Sequence, residues 1–302
     1  MIISMPATTT VDINRQILQS RKDGGVVTLG RVMTLVIDAT GADADFAIDT
    51  ANVASREHPC RIIVFAPQND GEDRLDAEIR VGGDAGASEV IVLRPSGEQV
   101  NHADTLVTPL LLPDAPIVAW WPAAVPANAS ETGLGKMAQR RITDTKGEAT
   151  PGDTLCQLSA NYRDGDTDMA WTRLTRWRAL LAAALEQVTD RTVTKAHIHG
   201  DTNSASILLL GAWLQRTLDC EIELTYDDKL AGVQDIVLET PSGEIGISRP
   251  DGHNATLTQP GQPQHVIALP ARTLGDCLAE ELGRLDADLV YGDVLSYYKA
   301  NR

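Results

Sequence analysis

The chain has 302 residues, enough for one large domain or two of ordinary size, and its 43% apolar and 23% charged content reads as a soluble globular protein with a real core. Its 26 basic residues face 42 acidic ones, and the resulting formal charge of −16 repels a polyanion, so no nucleic-acid partner is expected. The longest apolar stretch, 106–121, is broken by Pro109, Pro113, Asp114 and Pro116, and the N-terminus lacks a basic region followed by an apolar one; neither a membrane span nor a signal peptide is expected.

In chain order, Thr8–Thr10 offer N-cap hydroxyls to a short helix over 11–18. The nearly continuous apolar run 31–37 predicts a strand covered on both faces. A helix over 43–57 ends before Pro59 and leads to a strand at 60–65, a β-α-β start. Strands at 77–81 and 89–93, a helix near 98–106 and a strand at 117–120 follow. Residues 122–152 are rich in Pro, Ala, Gly, Ser and Asn, with a helical patch at 136–141, and read as a long surface excursion of the kind that often carries function. After a helix at 154–162, Asp168 is placed to cap a long helix over 169–188, on which Trp171, Leu174, Trp177, Leu181, Leu185 and Val188 form one apolar stripe. Arg173 and Arg176 fall on its other side.

The second half opens like the first, with a strand at 193–198, a helix at 204–218 and a strand at 220–225. An antiparallel run at 236–239, 244–247, 255–258 and 266–269 follows, with a turn at 241–243, before helices over 273–285 and 288–298. The pattern predicts an α/β protein of two α/β domains with mixed sheets, the second containing the antiparallel run. The boundary is drawn between 1–165, which includes the excursion, and 166–302.

No motif makes a positive case for catalysis. The glycines of Val81-Gly-Gly-Asp-Ala-Gly86 lack the first glycine of a dinucleotide loop and precede a strand rather than a helix, so a plain turn is expected. Gly133-Leu-Gly-Lys136 has Met137 where a phosphate loop needs a hydroxyl. His197 and His199 share a strand face, but no further ligand pair announces itself, so no metal is expected. The acidic turn 164–168 lacks the glycine and closing glutamate of a calcium loop and is better read as a helix cap. Four dispersed cysteines, at 60, 156, 220 and 277, form no close pair and suggest a reduced, cytoplasmic protein. No cofactor is expected.

Aromatic residues make up only 4% of the chain, yet four of its five Trp lie in two short segments, 116–122 and 168–178, the second also carrying three Arg. Trp and Arg are the residues most enriched where proteins grip one another. The candidate partner-binding residues are therefore Trp120, Trp121, Arg140, Arg141, Asp144, Trp171, Arg173, Arg176 and Arg178. Trp171 and Trp177 equally suit a core position. Adjacent Trp120 and Trp121 must point to opposite faces of their strand, one of them able to meet Arg140 and Arg141 through a cation–π contact.

Several long segments carry a resemblance. Asn-Val-Ala-Ser-Arg-Glu-His-Pro-Cys-Arg at 52–61, Asp-Ala-Pro-Ile-Val-Ala-Trp-Trp-Pro at 114–122, Arg-Arg-Ile-Thr-Asp at 140–144, the 168–178 segment, 200–218, 269–272 and 279–285 together resemble the OpcA family, glucose-6-phosphate dehydrogenase assembly proteins of actinobacteria and cyanobacteria. The similarity runs from about 31 to 291. It implies a non-catalytic partner that binds glucose-6-phosphate dehydrogenase, favours its active oligomer and so acts at entry to the oxidative pentose phosphate pathway. Cyanobacterial members are associated with thiol redox control, which the dispersed cysteines here do not support. A sugar-phosphate or nucleotide sensor or enzyme, using Arg140, Arg141, Arg173 and Arg176 to hold phosphate, is the rival reading.

Overall fold

The computed structural model describes residues 1–23, 32–68, 71–81, 89–188 and 190–302. The glycine segment at 82–86 and Arg31, at the start of the expected 31–37 strand, lie outside them. The chain is α/β with two mixed sheets, as the patterning implies.

In chain order the first elements are β1 (Ile2–Met5), α1 (Thr10–Asp23), β2 (Met33–Asp38), α2 (Gly41–Ala54), β3 (Cys60–Phe65), β4 (Arg74–Arg80) and β5 (Glu89–Ser96). Next come α3 (Ala103–Val107), β6 (Ile117–Trp121), α4 (Gly133–Met137), β7 (Arg140–Thr143), α5 (Pro151–Asn161), β8 (Asp166–Asp168), α6 (Met169–Thr172) and α7 (Thr175–Glu186). The remainder is β9 (Lys195–Gly200), α8 (Ala205–Leu218), β10 (Glu221–Tyr226), β11 (Val233–Thr240), β12 (Gly243–Ser248), β13 (Asn254–Thr258), β14 (His265–Ala268), α9 (Leu274–Leu282) and α10 (Leu289–Ala300). Instead of meeting at one boundary at 165/166, two compact units share the chain in pieces. One comprises Met1–Asp144, Arg163–Thr167 and Leu274–Ala287; the other comprises Thr145–Tyr162, Asp168–Thr273 and Asp288–Arg302.

In the first unit, β5-β3-β2-β6-β7 run parallel at the centre of a sheet with order β1-β4-β5-β3-β2-β6-β7-β8. Numbered along the chain, these five parallel strands stand in the order 3-2-1-4-5 of a doubly wound fold. Their apolar runs are buried at almost every position, as expected of strands covered on both faces. β4 alternates instead, and pairs antiparallel with β5 on one side and β1 on the other. β1 is only four residues long and half exposed, too short for periodicity to mark it as a strand. α2 buries Ala44, Ala47, Ile48, Ala51 and Ala54, a small-residue stripe that packs against α9, while Phe46 and Val53 point outward.

Part of the expected 122–152 excursion is interior. Leu134, Ala129 and Ala138 are buried, and 140–143 is the strand β7 rather than the end of a helical patch. Two consecutive arginines mask that strand, because both lie at buried positions that hydropathy assigns to solvent.

In the second unit the sheet order is β10-β9-β11-β12-β13-β14. β9 and β10 are parallel and joined through α8; the remaining pairs are antiparallel. The core gathers Trp171, Trp177, Leu181, Ile198, Ile207, Leu210, Ile236 and Ile247, and α10 packs on α5 and α8. The helix expected over 169–188 is two helices. Leu174 N–H bonds the Trp171 carbonyl, an i→i+3 contact that tightens the chain between α6 and α7. As expected, Asp168 caps α6, accepting from Ala170 N at 2.8 Å and also from the Thr145 hydroxyl at 2.9 Å.

Candidate functional site

Most of the sequence-nominated residues fall inside the two units rather than on their surfaces. Trp120 is 0% and Trp121 3% exposed, and they point to opposite sides of β6 as alternation demands. Trp121 packs among Val36, Ile63 and Ala119. The Trp120 indole N–H is buried with no hydrogen-bond acceptor among the described residues. Arg140 and Arg141 also diverge from adjacent positions of β7. Arg140 pairs with Glu281 of α9, its Nε at 3.0 Å, and donates to the Asp286 carbonyl at 2.8 Å. Arg141 pairs with Asp166 and donates to the carbonyls of Ala138 and Asp164 at 2.7 and 2.6 Å. Gly165, with φ of +93°, permits that closure; a Cβ there would stand 2.2 Å from the Gln139 carbonyl oxygen. Asp144 is buried at the end of β7.

Trp171 is buried too. Its indole donates to Asp288 at 2.9 Å, its ring lies 6.0 Å from Tyr291, and the Arg178 guanidinium sits 3.6 Å over it. Cation–π contacts thus occur, but between Arg178 and Trp171 and between Arg249 and Trp177 at 5.0 Å, not between Arg140 or Arg141 and the β6 tryptophans. Burial therefore corrects the reading of Trp120, Trp121, Arg140, Arg141, Asp144 and Trp171 as surface anchors. Arg173 and Arg178 are half-buried and Arg176 is exposed. These three alone of the nine are not buried, whereas Arg140 and Arg141 are each engaged by a carboxylate inside the first unit.

The switch point of the first sheet is the crevice between the C-terminal ends of β2 and β6, where doubly wound folds hold dinucleotides. Here Asp38 ends β2 and Trp121 ends β6, and the Trp121 indole donates to Asp38 at 3.0 Å across the gap. The following β2–α2 connection, Asp38-Ala-Thr-Gly-Ala-Asp43, brings a second carboxylate to the first turn of α2. The crevice is thus bridged by a tryptophan–carboxylate contact, beside a helix whose first turn carries a further acid.

Burial raises the Asp38 pKa, an effect larger than the lowering by the Trp121 hydrogen bond. A carboxyl whose folded pKa is raised binds protons more readily in the native than in the unfolded state. Its stabilising contribution is therefore complete below the unfolded value of about 3.9 and is lost as pH rises through the folded value. Asp38→Asn, which keeps an acceptor for Trp121, is accordingly expected to raise the melting temperature at pH 7. That advantage should fade as the pH is lowered toward 4; an advantage unchanged across this range would contradict it.

The two strand histidines each meet carboxylates. His197 lies 3.0 Å from Glu223 and 2.6 Å from Glu239, and His199 lies 3.2 Å from Asp235. Cys60, Cys220 and Cys277 are buried and Cys156 is half-buried, none of them in a disulfide among the described residues; burial also pushes the Cys220 thiol pKa up. Among the described residues no helix is long and apolar enough to cross a membrane.

The sequence missed a second cluster. α6, α7, the loop before α8 and the β14–α9 connection enclose a pocket of about 210 Å³ in the second unit, to which Arg173, Arg176, Arg249 and Arg272 all contribute. Arg249 and Arg272 carry no recognisable signal, standing far from the Trp/Arg segment among strand and loop residues.

Two family descriptions match the chain, and both are of a glucose-6-phosphate dehydrogenase subunit. Its N-terminal domain matches residues 51–160, and its C-terminal domain matches residues 164–295. An OxPP cycle protein OpcA of Synechocystis sp. is 24% identical over 265 residues, covering 81% of this chain and 53% of that protein. Its namesake from Synechococcus elongatus is 28% identical over 148 residues, 45% of this chain and 33% of that protein. The chain thus spans about half the length of the first of these relatives and a third of the second. A variant of KijD10, a 3-ketoreductase from Actinomadura kijaniata, superposes with a TM-score of 0.50 at 9% identity, covering 88% of this chain and 95% of that one. That likeness is one of fold. With both domain descriptions matched in order over most of its length, the chain belongs to the OpcA family of glucose-6-phosphate dehydrogenase assembly proteins.

Proposed function

We propose that this protein is a non-catalytic, cytoplasmic assembly factor and allosteric activator of glucose-6-phosphate dehydrogenase, acting in the oxidative pentose phosphate cycle. The observation that carries the reading is the ordered match of both halves to the two domains of the dehydrogenase-associated family. The Trp121–Asp38 contact supports the non-catalytic part, since it links the ends of the two strands between which a doubly wound dehydrogenase would seat its nicotinamide nucleotide. Arg173, Arg176 and Arg178 are the proposed contacts with the dehydrogenase. The −16 charge supplies long-range orientation and makes the association sensitive to salt. A partner of this kind acts through differential affinity: whichever oligomer of the dehydrogenase it binds more tightly becomes more populated.

The test is co-purification. Tagged dehydrogenase is expected to retain the chain at low salt, and the purified chain alone is expected to reduce no NADP with glucose 6-phosphate. Failure of retention at both low and moderate salt would overturn the partner, and turnover by the chain alone would overturn its non-catalytic role.

A further inference from the structure

The pocket of the second unit lies where β9 ends and the chain passes through Asp201–Ser204 into α8, a helix of 14 residues. A strand–loop–helix junction aims backbone N–H groups and the positive end of the helix dipole at whatever occupies it. The Ser204 hydroxyl, at the N-cap, does not cap the helix. The loop packs tightly: a Cβ on Gly200 would stand 2.1 Å from the carbonyl oxygen of Gly232, which itself lines the pocket.

The walls are strongly cationic in a strongly anionic protein. Arg173, Arg176, Arg249, Arg272 and Lys146 line the pocket against one carboxylate, Asp201. Arg249 is only 8% exposed. Its guanidinium donates to the carbonyls of Leu269 at 3.3 Å and Val233 at 3.1 Å and lies 5.0 Å from the Trp177 ring. Its Nε is buried with no hydrogen-bond partner among the described residues. Burial lowers the Arg249 pKa, only partly offset by the charge of Asp251. A buried guanidinium bonded to neutral carbonyls is costly to keep charged unless an anion joins it. Arg272 is fixed by donation to the Thr172 carbonyl at 2.9 Å, whereas Arg176 is exposed at the mouth. The pocket volume is about 210 Å³, below the roughly 300–1,000 Å³ of sites that hold drug-sized ligands. It suits a compact ester rather than a dinucleotide.

We propose that this pocket is a binding site for the phosphate group of a small phosphate monoester, held by Arg249 and Arg176 at the N-terminus of α8. Guanidinium forks match phosphate oxygens bidentately, and Leu174, Trp177 and Pro270 supply an apolar wall for the ester's carbon skeleton. Arg173 and Arg176 are also among the proposed dehydrogenase contacts. The site is therefore tested on this chain alone, where a negative result leaves the partner reading standing.

The experiment is calorimetric titration of the full chain with glucose 6-phosphate, inorganic phosphate and uncharged glucose, at low ionic strength balanced with chloride. Saturable 1:1 binding of glucose 6-phosphate and of phosphate, with none of glucose, is the expected result. Tighter binding of the ester shows that the skeleton is read; equal affinities show that the anion alone is read, and support the site as a phosphate site. Arg176→Ala is expected to weaken binding about tenfold, the loss of one charge-assisted contact. Arg249→Met should abolish it if the variant folds, and Arg176→Ala decides the matter if it does not. No heat with either phosphate compound, or an undiminished affinity in Arg176→Ala, would overturn the proposal.

Discussion

Arg140→Met is expected to destabilise the protein by about 3–5 kcal/mol, the usual loss when one member of a buried ion pair is removed. Arg140 and Glu281 have side chains only 1% and 6% exposed, so neither can exchange its partner for bulk water. The pair joins β7 to α9 within one unit across 141 positions of sequence. Removing the guanidinium leaves the Glu281 carboxylate buried without it, and frees the Asp286 carbonyl that Arg140 also serves. Glu281→Leu alone should cost a similar amount. The double variant Arg140→Met/Glu281→Leu should recover much of the loss, because an apolar pair of similar volume avoids desolvating two charges. Urea unfolding of the four proteins closes the cycle. Strictly additive losses would show that the two side chains do not act as a pair.

Neighbouring positions on α7 should respond in opposite ways. Trp177 is 3% exposed in the core of the second unit, and Trp177→Ala is expected to cost about 3–5 kcal/mol through lost burial and the cavity left behind. The melting temperature should fall by roughly 6–20 °C. Part of that loss comes from Arg249, whose guanidinium lies over the Trp177 ring. Arg176, one residue earlier, is exposed, and Arg176→Ala should change stability by no more than about 0.5 kcal/mol. Thermal unfolding of both variants, with dehydrogenase binding measured alongside, separates core from contact. Full-strength binding by an Arg176→Ala protein that melts normally would move the interface away from the proposed arginines. An early-melting Arg176→Ala protein would place that side chain in an internal network.

The legibility of these features follows their physics. β2, β3 and β5 can be read because parallel strands buried on both faces need unbroken apolar runs, and α8 because its apolar residues recur at helical spacing. β7 cannot, since Arg140 and Arg141 occupy buried positions, and the carboxylate that compensates Arg140 stands in α9, far along the chain. Nothing local announces such a partner. The Trp/Arg segment is conspicuous for a sound reason, scarcity of aromatics, but scarcity does not separate an interface anchor from a core anchor. Trp171 and Trp177 fill the core, and the arginines beside them divide between covering a tryptophan, as Arg178 does, and facing outward, as Arg176 does. The basic pocket is half visible, through Arg173 and Arg176. Arg249 and Arg272 reach it from beyond β12 and β14, a convergence only the folded chain displays. The switch point is hidden for a simpler reason: the glycine segment nearest in pattern to a nucleotide loop follows β4, whereas the crevice lies between β2 and β6.

The central claim, that the chain raises dehydrogenase activity by favouring its active assembly, is tested most directly by titrating purified chain into a fixed, dilute concentration of glucose-6-phosphate dehydrogenase. NADPH formation and sedimentation are followed on the same samples. The account predicts a saturable rise in activity that tracks a shift of the dehydrogenase into a larger species containing both proteins. Activity and sedimentation that both stay flat across the titration would contradict it.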